Sequence, residues 1–304
     1  MEDLDRQLDY WNRIGPGKPF SHPINFERLS QWLAPDSRII DVGCGYGRAL
    51  GLLFERGYKN LIGFDLASAM IALARERFPE ITFAELTSPP NLPLPDLSVD
   101  AALLFAVLTC VPTNQGQRAI IEEVGRVLRP GGLCYISDLW LQTDERNRER
   151  YVRDQPKYGT FGVFDLPEGV TLRHHDPAWI ETLTRDFETV ALDHISIETM
   201  NGNTAKGFQW FGLKRGEAEG AAERRMKQSV ALNPKIEAGI SATVGEGSLT
   251  VPPEPSLTVG LVPRVSRPHS RNKIQSTTSK DHNRSPDCCR GGKQRMFTQL
   301  LKAT

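Results

Sequence analysis

The chain has 304 residues, 39% of them hydrophobic and 24% charged, the balance of an ordinary globular protein. Its 37 basic and 37 acidic side chains are unevenly placed: residues 216–304 carry 14 Lys and Arg against 8 Asp and Glu, so residues 1–215 are acidic and give no electrostatic footprint for nucleic acid. Five scattered cysteines make no disulfide framework and no zinc-like spacing, and no apolar run approaches the roughly 18 residues of a membrane helix.

The first residues are acidic and lack an apolar stretch, so no secretory signal is expected and a reducing cytoplasm fits. Residues 1–34 precede the first strand and hold Tyr10, Trp11, Lys18, Phe20 and His22. Aromatic side chains there, outside any strand–helix unit, either form a lid over a ligand or pack on a sheet edge. Strands are then expected at 38–42, 61–64, 81–83 and 101–107, the last apolar throughout, as a strand covered on both faces should be. Helices are expected between them at 48–56 and 68–78, and after them at 115–128, where apolar residues recur at helical spacing. Pro130-Gly131-Gly132 is expected to end that helix before a fifth strand at 133–137. An insertion at about 139–176 reads as a helix over 144–153 and a β-hairpin turning at Glu168-Gly169, followed by His174 and His175. A helix at 177–187 precedes strands at 189–199 and 205–214, which flank the hairpin signal Asn201-Gly202.

This alternation predicts an α/β domain over 35–215: a doubly wound, mostly parallel seven-stranded sheet with right-handed crossovers, an antiparallel C-terminal hairpin and a small cap. From residue 216 the only aromatic is Phe297, and Cys288 and Cys289 stand adjacent. So little apolar surface cannot offset chain entropy, and a low-complexity, disordered tail is expected.

The densest motif is Asp41-Val42-Gly43-Cys44-Gly45-Tyr46-Gly47, between the first strand and the first helix. Ligands of open α/β sheets bind at such strand ends, glycine lets the backbone approach them, and the helix start offers free N–H groups. A phosphate loop needs Gly-Lys-Ser/Thr, which is absent, and a dinucleotide fingerprint needs G-x-G-x-x-G, whereas here Arg48 stands at the third glycine's place. Asp65 ends the second strand, where a carboxylate can accept both hydroxyls of a ribose. Glu85 and Leu86 follow the third strand, where a side-chain acceptor suits an adenine amino group and the Leu86 N–H suits a ring nitrogen.

Together with Gly63-Phe64-Asp65, Asn91-Leu92-Pro93-Leu94-Pro95-Asp96, Val99-Asp100 and Val127-Leu128-Arg129-Pro130-Gly131-Gly132, this loop resembles the class I S-adenosylmethionine-dependent methyltransferase family over roughly residues 35–140. The resemblance implies a Rossmann-like methyltransferase fold with S-adenosyl-L-methionine as cofactor. It implies that Asp41 and Gly43 line the methionine moiety, that Gly45 packs beneath the cofactor, that Asp65 binds ribose and that Glu85 and Leu86 frame adenine. Cys44, Gly47, Leu66 and Phe105 complete the expected cofactor site. Many members have Asp-Ala where this chain has Glu85-Leu86, and many small-molecule members have His where Cys110 stands.

Acceptor residues are expected from the N-terminal segment (Tyr10, Trp11, His22) and from the end of the fifth strand (Asp138). His174 or His175 is either a general base or a group that satisfies the hairpin. The cap is short and no basic domain is added, which favours a small-molecule acceptor. Methylation of protein or RNA, and a catalytically silent cofactor-binding subunit, are the alternatives.

Overall fold

The computed structural model describes Met1 and residues 3–216; the expected tail at 217–304 lies outside the described residues. Seven strands form one sheet in the order β3-β2-β1-β4-β5-β9-β8. The first five are β1 (Arg38–Val42), β2 (Asn60–Asp65), β3 (Thr82–Glu85), β4 (Val99–Phe105) and β5 (Leu128–Leu139), all parallel. β8 (Phe187–Glu198) and β9 (Thr204–Lys214) close it as an antiparallel hairpin, with β9 beside β5. The order reverses between β1 and β4, so the carboxyl ends of these strands part and leave a crevice.

Two apolar layers cover the sheet. On one face α3 (Phe26–Trp32), α4 (Arg48–Glu55) and α5 (Ser68–Arg77) bring Leu29, Leu50, Leu53 and Ile71 onto Ile39, Leu103 and Phe211. On the other, α6 (Asn114–Val127) and α8 (Pro177–Leu183) bring Ile121, Val124 and Ile180 onto Ile40, Leu104 and Ile136. Alternate residues of β1 and β4 enter opposite layers, which is why these strands read as unbroken apolar runs.

Three expectations are corrected. β5 begins at Leu128 rather than at 133: Pro130-Gly131-Gly132 is absorbed as a bulge, with Val99 opposite Leu128, Ala101 opposite Leu133 and Gly131 at φ +74°. The C-terminal helix stops at Leu183, because Phe187 is drawn into β8 and the α6 layer. The cap helix α7 (Glu145–Tyr158) runs a turn further than 153 and ends in a left-handed Gly159.

The cap is completed by the hairpin β6 (Val163–Asp165) and β7 (Thr171–Arg173). The N-terminal segment is more ordered than its sequence signals, with short helices α1 (Asp3–Arg6) and α2 (Leu8–Arg13) ahead of α3. Asp5 anchors it by accepting from Thr113 N (3.0 Å) and Thr113 Oγ1 (2.6 Å). Gln7 pairs with the backbone of Thr171, donating to its carbonyl and accepting from its N–H (2.7 and 2.6 Å).

Candidate functional site

The crevice between β1 and β4 opens into a cavity of about 820 Å³, within the range of small-molecule sites. Its floor is the glycine loop. Gly43, Gly45 and Gly47 sit at φ +72°, +54° and +81°, where a side chain is strained, and a Cβ on Gly43 would meet Val107 at 2.7 Å. Phe64 O receives the N–H of Gly43 (2.7 Å) and of Cys44 (3.0 Å). Asp65 braces the loop further: its two carboxylate oxygens accept from Gly45 N (2.8 Å) and Ala67 N (2.9 Å). Burial raises the Asp65 pKa, and these backbone bonds oppose the rise.

Of the expected cofactor residues, Asp41, Gly43, Cys44, Gly45 and Asp65 line the cavity, as do Leu66, Leu86 and Phe105. Glu85 is exposed at the end of β3 and stays outside the cavity wall. The Leu86 N–H is already given to Asp65 O at 2.8 Å, so Leu86 offers the cavity its apolar side chain. Gly47 is structural: it precedes α4, and a Cβ there would meet Phe83 at 2.7 Å.

The acceptor candidates divide. Trp11, His22 and His174 line the cavity, whereas Tyr10, Asp138 and His175 do not. Tyr10 is buried beside Trp11, with their rings edge-on at 4.9 Å. Asp138 is fully buried and accepts from Thr109 N (3.0 Å) and Leu139 N (2.8 Å), and so holds the chain ends around β5 rather than a ligand. His175 is also fully buried, lies 3.5 Å from Asp138, and joins cap to sheet through its N–H to Leu139 O and its carbonyl to Leu141 N. Both of its ring nitrogens are buried without a hydrogen-bond partner.

The two histidines that reach the cavity are poor bases. Burial pushes His22 down to about 4, and its Nδ1 sits 3.0 Å from Ser137 Oγ. His174 is lowered well below the ordinary range, first by burial and then by the nearby Arg150 guanidinium, and its Nδ1 is engaged by the Tyr151 hydroxyl. Both rings are neutral at pH 7 and bind an added proton weakly.

Residues 18–22 form a strap along the cavity, with Pro19, Phe20, Ser21 and His22 in its wall. Lys18 Nζ donates to Glu168 Oε1 on the cap hairpin (3.1 Å) and to Asn201 Oδ1 on the β8–β9 turn (2.6 Å), and Asn201 itself donates to Glu168 (2.8 Å). On the loop side Phe20 stacks on Tyr46 and Arg48 donates to His22 O. Lys18→Ala is expected to speed ligand dissociation about fivefold, because a partly buried cation with two acceptors contributes on the order of 1 kcal/mol. Stopped-flow release of S-adenosylhomocysteine checks this; an unchanged rate shows that the strap does not gate the cavity.

Sequence reasoning passed over Arg48, noted only as a missing glycine, which lines the cavity at the start of α4. It also passed over Arg146 and Arg150 on α7, whose spacing reads as a solvated charged helix, and Ala106, at φ +55° just beyond β4. A non-glycine residue in that region marks strain of the kind that gathers at functional sites, and no propensity signals it.

A glycine-floored crevice at the strand-order switch, with an acid ending the next strand, defines a nucleoside-binding α/β domain. Residues 40–136 match the methyltransferase domain family, and over that stretch the chain is similar to S-adenosylmethionine-dependent methyltransferases. An uncharacterised methyltransferase of Mycobacterium tuberculosis is 33% identical over 147 residues, 47% of this chain and 56% of that protein. The demethylmenaquinone methyltransferase of Tropheryma whipplei is 32% identical over 153 residues, 49% of this chain and 58% of that one. A solved S-adenosylmethionine-dependent methyltransferase of Methanosarcina mazei superposes with a TM-score of 0.59 at 28% identity, covering 62% of this chain and 98% of that one. The chain spans about half the length of the curated relatives it matches. The family's cofactor suits the cavity wall: Asp41 Oδ1 is buried there without a partner, and burial pushes the carboxyl up to about 8. An uncompensated acid of this kind fits a ligand that carries positive charge.

Proposed function

We propose that the domain transfers the methyl group of S-adenosylmethionine to a small-molecule acceptor. The observation that carries this reading is one cavity of about 820 Å³ lined jointly by the glycine loop, residues 19–22 and the cap. A volume of that size suits a cofactor together with a small acceptor. Relatives named for methylation of demethylmenaquinone and of ubiquinone and menaquinone support it.

When bound, the cofactor supplies a methyl on a sulfonium: the acceptor's electron pair forms the new bond as the carbon–sulfur bond breaks and its pair returns to sulfur. The chain's own part is placement and exclusion of water. Asp65 and Asp41 would hold the ribose and the cationic end, Leu86 and Phe105 would pack the apolar parts, and the strap would align the acceptor. With His22 and His174 both weakly basic, the site suits an acceptor that arrives ionised or needs no base.

S-adenosylhomocysteine at about a hundred times its Kd is expected to add roughly 2.7 kcal/mol of stability, a Tm rise of about 5–10 °C, and NAD none. A thermal melt with each ligand checks this, and no shift with S-adenosylhomocysteine removes the proposal. Labelled cofactor presented with metabolites, protein and RNA in parallel separates a small acceptor from the macromolecular alternatives.

A further inference from the structure

Among the described residues Arg150 is a cation with no carboxylate in ion-pair contact, although the Asp144 carboxylate acts on it electrostatically. It lies half-buried on α7 in the cavity wall. Its guanidinium lies 3.6 Å from the centroid of the Phe164 ring, donates one N–H to Asn147 and interacts with the Tyr151 hydroxyl, while its Nε is buried without a partner. Other cations of α7 are matched: Arg153 by Asp154 at 2.6 Å and Lys157 by Asp165 at 2.7 Å. Among the described residues no carboxylate forms an ion pair with Arg150. Two acids of the cavity wall are engaged elsewhere, Glu168 by Lys18 and Asn201, and Asp165 by Lys157 and the Tyr158 hydroxyl. Glu149, on the same helix, is exposed.

A guanidinium drawn out of water without a counterion is unfavourable, and one aromatic face compensates only part of the lost hydration. What completes it is a planar anion, since the guanidinium fork matches a carboxylate in two parallel bonds. Beside it the wall is apolar, with Trp11, Leu166, Leu172 and Met200 gathered in one cluster with Phe164. Arg146, one helical turn earlier, adds a second cation to the same wall. The acceptor side thus joins an apolar surface to positive charge.

We propose that the methyl acceptor is a hydrophobic carboxylic acid bound as its anion, with the carboxylate on Arg150 and the apolar body against the Trp11 and Met200 wall. This rests on the methyltransferase reading above and names its substrate class.

The test uses the full chain saturated with S-adenosylhomocysteine and two matched probe pairs, 4-hydroxybenzoate with 4-hydroxybenzamide and indole-3-acetate with indole-3-acetamide. Calorimetry is expected to show each acid binding at least about tenfold tighter than its amide. Arg150→Gln is expected to erase that preference while keeping the Tm shift given by S-adenosylhomocysteine, and Arg150→Lys to keep part of it. Acids and amides that bind alike, or neither binding while S-adenosylhomocysteine does, overturn the inference; so does a preference that survives Arg150→Gln. If Arg150→Gln loses the Tm shift, Arg150→Lys carries the comparison, and an acid preference equal to wild type in it overturns the two-bond carboxylate contact. A wild-type chain that gives no shift with S-adenosylhomocysteine sinks the methyltransferase reading instead.

Discussion

Asp65→Ala is expected to weaken S-adenosylhomocysteine binding by at least about 3 kcal/mol, more than a hundredfold, and to lower the Tm of the ligand-free protein by roughly 5–10 °C. Two losses combine. The carboxylate is the acceptor for Gly45 N and Ala67 N, so its removal strands two N–H groups in the floor of the cavity. It also removes the group proposed to hold the ribose, whose hydroxyls make charge-assisted bonds. Asp65→Asn, which keeps the shape and one acceptor oxygen, is expected to fall between. Calorimetry reads the affinity and a thermal melt the stability. A wild-type Kd in Asp65→Ala refutes the ribose role, and a wild-type Tm refutes the bracing role.

Asp41→Asn is expected to abolish a pH dependence that the native protein shows. Burial, partly opposed by the Arg48 guanidinium, places the Asp41 carboxyl at about 8, against about 4 in an unfolded chain. Between these values the folded state holds a proton that the unfolded state has released. Stability from this group is therefore full below pH 4 and falls as pH rises through about 8. A cationic ligand reverses the preference by favouring the ionised carboxylate. S-adenosylhomocysteine, with its ammonium, is expected to bind about tenfold tighter per pH unit from 6 to 8 and to release a proton in doing so. Asp41→Asn is expected to bind weakly and independently of pH, and to melt higher than wild type at pH 8 without ligand, the exchange of stability for function common at binding sites. Titrations across pH 6–9 in buffers of different ionisation heat decide this. A slope in the variant equal to that of wild type assigns the proton elsewhere.

How far the site was legible follows from how local each signal is. The glycine loop and Asp65 were readable because their chemistry lies in a few contiguous residues at a strand end, and the structure places them together around one cavity. At the end of β3 the two neighbours part: Glu85 is exposed and Leu86 lines the cavity. The Leu86 N–H was misread because its acceptor, Asp65 O, is on a neighbouring strand. His174 and His175 also separate, one reaching the cavity and the other the sheet.

By itself the sequence determined the strand–helix alternation, the sheet that follows from it, the glycine bend and the acid after it. These depend on periodicity and backbone freedom, which neighbouring residues set among themselves. Only the tertiary structure decided what lines the cavity and what charge it presents. Lys18 meets Glu168 across 150 positions of chain, and among the described residues Arg150 forms no ion pair although carboxylates stand within four residues of it on either side. Ion pairing and burial depend on which distant segments pack together, and spacing along the chain does not carry that information.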